Sequence, residues 1–154
     1  MVSSLRCSRC SWPIRSANCT TGCWRRAEAG KQAAMDRVAL CNSRDLAEGG
    51  DAVPFDVLHQ GQTCRAFAVR WRGQAHAYLN RCTHVAMELD YQPNRFFDDS
   101  GDWLLCATHG AAYRPDSGAC GGGPCRGGLV KIALSESDGV VHWHTGPQLQ
   151  PVFF

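Results

Sequence analysis

Short apolar segments, separated by polar turns at intervals of about eight to twelve residues, run through most of the chain. Segments of this length predict β-strands, and two-residue turn signals such as Arg72-Gly73 predict hairpins between neighbouring strands. No segment has the apolar stripe of a long amphipathic helix, which argues against folds that alternate strands and helices. The pattern therefore predicts an all-β fold, an antiparallel β-sandwich or barrel.

The turn residues and apolar runs also predict where individual elements begin and end. We expect a brief helical turn at Arg44–Glu48, with Ser43 as its N-cap, because Gly49-Gly50 follows it. In the last predicted hairpin, Leu129–Leu134 pairs with Val140–His144 across Glu136–Gly139. The other predicted strands are Arg37–Cys41, Val53–His59, Cys64–Trp71, Gln74–Asn80 and Trp103–Cys106.

Charge divides the chain near Met35. Residues 1–34 contain six basic residues and one acidic residue, whereas residues 35–154 contain ten basic and thirteen acidic residues. The basic segment has neither strand alternation nor a helical stripe, so we interpret residues 1–34 as a disordered tail or a start-site artefact, with translation beginning at Met35. Residues 35–146 form the predicted domain and residues 147–154 a C-terminal tail. The first segment also offers four thiols for a small zinc site, a less favoured interpretation: Cys7, Cys10, Cys19 and Cys23.

The chain contains 10 cysteines in 154 residues, an unusually high share. Such a count indicates either a secreted disulfide framework or a metal or cluster site in a reducing compartment. Because no apolar signal segment is recognisable near residue 1, we expect the second class and a cytoplasmic location. No apolar run is long enough to span a membrane, and a net charge of +2 gives no reason to expect membrane or nucleic-acid partners.

Two loops combine cysteine with histidine directly after predicted strands. The first contains Cys82-Thr83-His84 and the second contains Cys106-Ala107-Thr108-His109. Two thiolates and two imidazoles are able to hold tetrahedral zinc, although zinc fingers usually pair cysteine with cysteine and histidine with histidine. The mixed loops suit a two-iron cluster better, with both cysteines on one iron and both histidines on the other. Both interpretations remain open on spacing alone.

The sequences CTHVAMELD and CATHGAAYRPDSGACGGGP resemble the two cluster-binding boxes of the Rieske [2Fe–2S] family. The resemblance extends from about Arg37 to about Trp143, and Gly121-Gly122-Gly123-Pro124 resembles the third loop that covers the cluster in that family. It implies a small cluster-binding subdomain with loops at about 82–90, 106–113 and 120–125. It also implies one [2Fe–2S] cluster, with His84 and His109 on the outer iron; the implied ligands are Cys82, His84, Cys106 and His109.

The departures from the family pattern concern the reduction potential. High-potential respiratory members carry an extra cysteine in each box, and the corresponding positions here hold Met87 and Thr108. Ala111 stands where those members have a serine that bonds a bridging sulfur. The resemblance is therefore to soluble Rieske ferredoxins, with a potential near the lower end of the range of about −150 to +300 mV. Tyr113 has two equally weighted interpretations, a hydroxyl donor to a sulfur or a packed strand aromatic.

The function implied by the resemblance is one-electron transfer between a flavin reductase and a ring-hydroxylating oxygenase. The alternatives are a structural zinc module that uses the same four ligands and a small subunit associated with a nitrite reductase or an oxygenase. We expect no catalytic domain of its own, because a Rieske oxygenase needs a mononuclear iron in a second, large domain. The remaining cysteines of the domain are expected to be ordinary thiols: Cys41 and Cys64 on strands, Cys120 and Cys125 reduced.

Overall fold

A computed structural model of the chain describes residues 36–153, and these form eleven β-strands and one short 3-10 helix. The all-β prediction is confirmed, whereas the predicted N-terminal tail lies outside the described residues. No helix in the described part is long and apolar enough to cross a membrane. The strands are β1 (Arg37–Asn42), β2 (Val53–His59), β3 (Gln62–Trp71), β4 (Gln74–Leu79), β5 (Leu104–Cys106), β6 (Ala111–Tyr113), β7 (Cys120–Gly122), β8 (Lys131–Ile132), β9 (Leu134–Ser137), β10 (Val140–His144) and β11 (Leu149–Pro151).

The strands form three antiparallel sheets. The largest has the order β11-β2-β3-β4-β8, a second has the order β1-β10-β9, and a small third sheet has the order β5-β6-β7. The small sheet carries the second and third of the predicted cluster loops, as the expected subdomain requires.

Strand β3 contributes side chains to two apolar cores, through which the three sheets pack together. Ala66 and Ala68 face one apolar core, whereas Phe67 and Val69 face another, because successive side chains of a strand point to opposite faces. The first core also contains Trp143 from β10, and the second contains residues of β5 and β6. The five-stranded sheet is thus covered on both faces at this point, which explains why residues 66–69 of β3 form a continuous apolar run in the sequence.

Three two-residue hairpin turns have the left-handed backbone that such connections need, among them Gln60 and Gly61, which join β2 to β3 with φ values of 51° and 80°. Arg72 and Gly73 join β3 to β4 with φ values of 49° and 76°, which confirms this predicted turn. Asp138 and Gly139, with φ values of 53° and 74°, join β9 to β10. The last hairpin is therefore formed by Leu134–Ser137, and the prediction that Leu129–Leu134 supplies its first strand is wrong. Lys131–Ile132 pairs with β4 instead.

The predicted helical turn at Arg44–Glu48 is also wrong in its bounds. A 3-10 helix spans Ser43–Asp45, with Asn42 at the N-cap position. The Asp45 carboxylate accepts the N–H of Asn42 at 3.1 Å, and the next residue, Leu46, is extended and buried in the core. The helix ends early because Leu46 gains more by burial than by continuing the turn.

Part of the predicted C-terminal tail belongs to a sheet. Strand β11 pairs with β2, with Leu149 opposite His59 and Pro151 opposite Val57. A proline is acceptable there because β11 is an edge strand.

Candidate functional site

The first loop is held by a buried asparagine that the sequence analysis missed. Asn80, directly after β4, accepts the N–H of Leu89 at 2.8 Å and donates its side-chain amide to Asp90 at 2.7 Å. These bonds tie the two ends of the loop together, and the N–H of Cys82 donates to the carbonyl of Met87 within it. The only sequence signal was a polar side chain directly after the apolar residues Ala77, Tyr78 and Leu79.

The second loop is a tight turn between β5 and β6. The N–H of Gly110 donates to the carbonyl of Cys106 at 2.9 Å, and Gly110 has a φ of 72°, which glycine adopts without strain. The N–H of Ala107 donates to the carbonyl of Leu89 at 2.8 Å. This bond joins the second loop to the first, so both loops lie at one end of the molecule.

The structure brings the four predicted ligands together as two pairs of like type. The side chains of Cys82 and Cys106 are buried, with 4% and 1% exposure, and lie close enough to affect each other's ionisation. The rings of His84 and His109 meet edge to face, with centroids 4.9 Å apart. His84 is half-buried and His109 is exposed. Within residues 36–153, no three His, Cys, Asp or Glu side chains form a group suited to a single metal ion.

An orphaned ring nitrogen supports a metal-binding role for this end of the molecule. The Nδ1 atom of His84 is buried and has no hydrogen-bond partner, although buried polar atoms are nearly always paired. A coordinated metal would supply the missing partner, because neutral imidazole binds iron through a ring nitrogen. His142 has a similar orphaned Nδ1, but it lies on β10 in another sheet. The donor set of two thiols and two imidazoles fits a two-iron cluster.

Hydrogen-bond donors converge on the thiol of Cys82. Burial alone would raise its pKa, but hydrogen bonds from the Tyr113 hydroxyl and from the backbone N–H groups of His84 and Val85 outweigh burial and lower the pKa. The pKa of Cys106 is raised by burial, which a bond from the N–H of Thr108 offsets only in part. Donors of this kind stabilise anionic sulfur, which is the form that binds iron.

The hydroxyl of Tyr113 contacts the sulfur of Cys82, in addition to the packing of its ring in the apolar core. It is 3.2 Å from Sγ of Cys82 and 3.0 Å from the backbone nitrogen of Thr83. The N–H of Thr83 donates to the phenolic oxygen, and Oγ1 of Thr83 also lies 3.0 Å from it. The hydroxyl proton therefore has two acceptors within reach, this oxygen and the sulfur of Cys82. Burial raises the pKa of Tyr113, so the phenol stays protonated at neutral pH. Of the two interpretations of Tyr113, the structure favours the sulfur donor.

The third loop covers this end of the molecule, and we call residues 120–127 the lid. Inside it, Cys120 and Cys125 form a disulfide with a Cα–Cα distance of 5.9 Å. The expectation of two reduced thiols is therefore wrong, because the glycine-rich turn between them brings their Cα atoms within bonding range. Cys41 and Cys64 are free, as expected, and both are half-buried.

Solved structures with the same fold include both an oxygenase and ferredoxins. The terminal oxygenase of carbazole 1,9a-dioxygenase from Novosphingobium sp. KA1 is 25% identical with a TM-score of 0.58; the match covers 76% of this chain and 31% of that one. The ferredoxin of carbazole 1,9a-dioxygenase from Nocardioides aromaticivorans IC177 is 20% identical with a TM-score of 0.56, over 75% of this chain and 98% of that one. A chain from a complex of reduced oxygenase and oxidized ferredoxin of carbazole 1,9a-dioxygenase is 23% identical with a TM-score of 0.55, over 70% and 91%.

Sequence comparison identifies the domain. None of the curated proteins matches the chain. The family of Rieske [2Fe-2S] domains, by contrast, matches residues 36–133, which include both loops, the lid and all four paired side chains. Because this match covers more than half of the chain and the observed fold agrees with it, the chain belongs to the Rieske [2Fe–2S] domain family, whose members bind one [2Fe–2S] cluster.

Proposed function

We propose that the protein is a one-electron carrier that passes electrons to an oxygenase. Its four ligands in this proposal are the thiolates of Cys82 and Cys106 on one iron and the imidazoles of His84 and His109 on the other. The observation that carries the proposal is the sorting of these side chains by type at one end of the molecule. When bound, the cluster supplies a site that gains and loses one electron.

The residues around the ligands suit this task. Cys82 and Cys106 are buried, so water is excluded from the proposed iron that they would hold. The ring of His109 is exposed, so a partner protein has close access to the proposed iron that the histidines would hold. Val85, next to His84, is an apolar side chain with 49% exposure, and Met87 is exposed nearby in the same loop. Such apolar exposure beside a reactive edge favours contact with another protein.

The oxygenase partner is inferred from the structural similarity of this chain to ferredoxins of an oxygenase system. The match to the Nocardioides aromaticivorans ferredoxin covers 98% of that chain, and a chain of similar fold comes from a complex of oxygenase and ferredoxin. We place the exchange in the cytoplasm, with a flavin reductase as the electron donor. The protein then alternates between these two partners and acts as the ferredoxin component of the system.

An anaerobic titration tests the carrier function. Dithionite should reduce the protein reversibly with one electron per chain and a slope of about 59 mV per decade, as a one-electron couple requires. A two-electron slope, or a protein that dithionite does not reduce, contradicts the proposal.

A single-turnover assay tests the oxygenase partner. The reduced protein is mixed with the terminal oxygenase of carbazole 1,9a-dioxygenase, used as a probe, and electron transfer is followed by absorbance. We expect transfer that Val85→Glu slows several-fold, because the new charge must be desolvated at the contact. Phe153→Glu is the matched control, since Phe153 is also apolar and 87% exposed but follows β11. Absence of transfer, or equal slowing by both variants, contradicts a partner surface at the first loop.

A further inference from the structure

The lid contacts the loops that carry all four proposed ligands. A Cβ atom on Gly123 would lie 2.3 Å from the carbonyl oxygen of Gly110, so the lid backbone packs directly on the residue after His109. On the other side, the hydroxyl of Thr83, between Cys82 and His84, donates to the carbonyl of Gly127 at 2.9 Å. A change in the lid is therefore transmitted to both loops.

The disulfide in the lid is accessible from one side. Cys120 is exposed, whereas Cys125 is half-buried, so an incoming thiolate reaches the Sγ atom of Cys120 first. Sγ of Cys125 lies 3.1 Å from the carbonyl oxygen of Gly122 and 3.7 Å from that of Ala112, which would accept a hydrogen bond from a released thiol.

We propose that Cys120–Cys125 is a reversible thiol-modification site through which a dithiol loosens the lid over the cluster loops. The thiolate of the dithiol attacks Sγ of Cys120, a mixed disulfide forms, and the bond to Cys125 breaks with release of its thiolate. The second thiol of the dithiol then attacks the mixed disulfide, which frees Cys120 and leaves the dithiol as a cyclic disulfide. Two electrons pass from the dithiol to the protein, and the two cysteine thiolates take up two protons.

The consequence for the cluster rests on the proposed function. With the disulfide closed, the turn at 120–125 is fixed and Gly123 is held against Gly110. With the disulfide open, the lid is held by the pairing of β7, by the bond to Gly127 and by the weak hydrogen bonds of the Cys125 thiol, so it opens more often. The cluster should then lose iron faster after a dithiol has opened the disulfide than while the disulfide is closed.

The test uses the full chain as purified, with and without dithiothreitol. Alkylation followed by mass spectrometry should find Cys120 and Cys125 blocked before dithiothreitol and alkylated after it. Hydrogen exchange in residues 120–127 and 106–113 should rise several-fold on reduction, and iron release to a colorimetric chelator should rise with it. The Cys120→Ser/Cys125→Ser variant should exchange fast without dithiothreitol and should not respond to it, whereas Cys41→Ser/Cys64→Ser should behave as the natural chain does.

Three results would overturn the proposal: free Cys120 and Cys125 before reduction, reduction without a change in hydrogen exchange, or an equal response in the Cys120→Ser/Cys125→Ser variant. The alkylation and hydrogen-exchange measurements do not depend on iron. A protein without a cluster would therefore contradict the proposed function but leave the thiol site measurable.

Discussion

At the scale of single residues, the two buried tyrosines serve different ends. The hydroxyl of Tyr113 lies 3.2 Å from Sγ of Cys82, whereas the hydroxyl of Tyr78 donates to the carbonyl of Pro115 at 2.8 Å. Both rings belong to the same apolar core. Of these two, Tyr113 is therefore the one placed to stabilise added negative charge at the sulfur of a proposed ligand, while Tyr78 holds a turn in place.

This difference predicts an effect of Tyr113→Phe on the reduction potential. Removing the donor destabilises the reduced, more negative form, so the potential should fall by about 20–60 mV, the equivalent of about 0.5–1.5 kcal/mol for a one-electron couple. Protein-film voltammetry measures the shift. Tyr78→Phe is the matched control and should leave the potential unchanged. An unchanged potential in Tyr113→Phe would show that its hydroxyl only packs.

At the scale of elements, the cluster loops are held by one buried polar side chain and by close backbone contacts. Asn80 ties the ends of the first loop, Gly110 turns the second, and Gly123 brings the lid onto Gly110. The lid approaches so closely that a methyl group at residue 123 has no room. Small increases in side-chain volume at the contact between the lid and the second loop should therefore affect the cluster.

Gly123→Ala should destabilise the protein and accelerate cluster loss. The φ of 72° costs a non-glycine residue about 1–2 kcal/mol, and overpacking against Gly110 adds about 1–3 kcal/mol. Gly73→Ala is the control, because Gly73 has a φ of 76° but no atom within 4 Å of its added Cβ, so only the backbone cost should appear. Urea unfolding compares the two variants. Equal losses of stability would mean that the lid is not packed closely on the second loop.

At the scale of the whole domain, the five-stranded sheet packs against the core that contains the two proposed cysteine ligands. Alternate residues of β3 face two cores, and the core on the cluster side includes Cys82 and Cys106. All four proposed ligands lie on elements within residues 36–153. The domain itself therefore contains the side chains that the proposed cluster needs.

Removal of residues 1–34 should therefore leave cluster loading intact. The shortened chain begins at Met35 and keeps both loops, the lid and both cores. Iron and sulfide contents and the visible spectrum should match those of the full chain. A shortened protein that folds but lacks the cluster would show that Cys7, Cys10, Cys19 or Cys23 takes part in loading.

Much of this architecture was predictable, because alternation and turn residues act locally. The β3–β4 hairpin followed from Arg72-Gly73, and the two Cys/His loops stood directly after strands. The partner of Lys131–Ile132 was not predictable, because this segment and Leu134–Ser137 are both candidates for pairing with Val140–His144. The tight turn at Asp138-Gly139 pairs Leu134–Ser137 with that strand and leaves Lys131–Ile132 to pair with β4. The Asn80 bonds depend on how the first loop folds back on β4. The Cys120–Cys125 disulfide depends on how tightly the glycine-rich turn brings two nearby cysteines together, which their spacing alone does not decide. The ligand set itself stays a prediction.

Pulsed EPR of the reduced protein with ¹⁵N-labelled histidine shows directly whether two histidines bind the cluster, because only ligand nitrogens couple strongly to the cluster spin. We predict two histidine couplings, one lost in His84→Ala and the other in His109→Ala. Both should persist in His142→Ala, which removes the other orphaned histidine. A signal without histidine coupling, or a colourless protein that contains zinc but neither iron nor sulfide, would contradict the account.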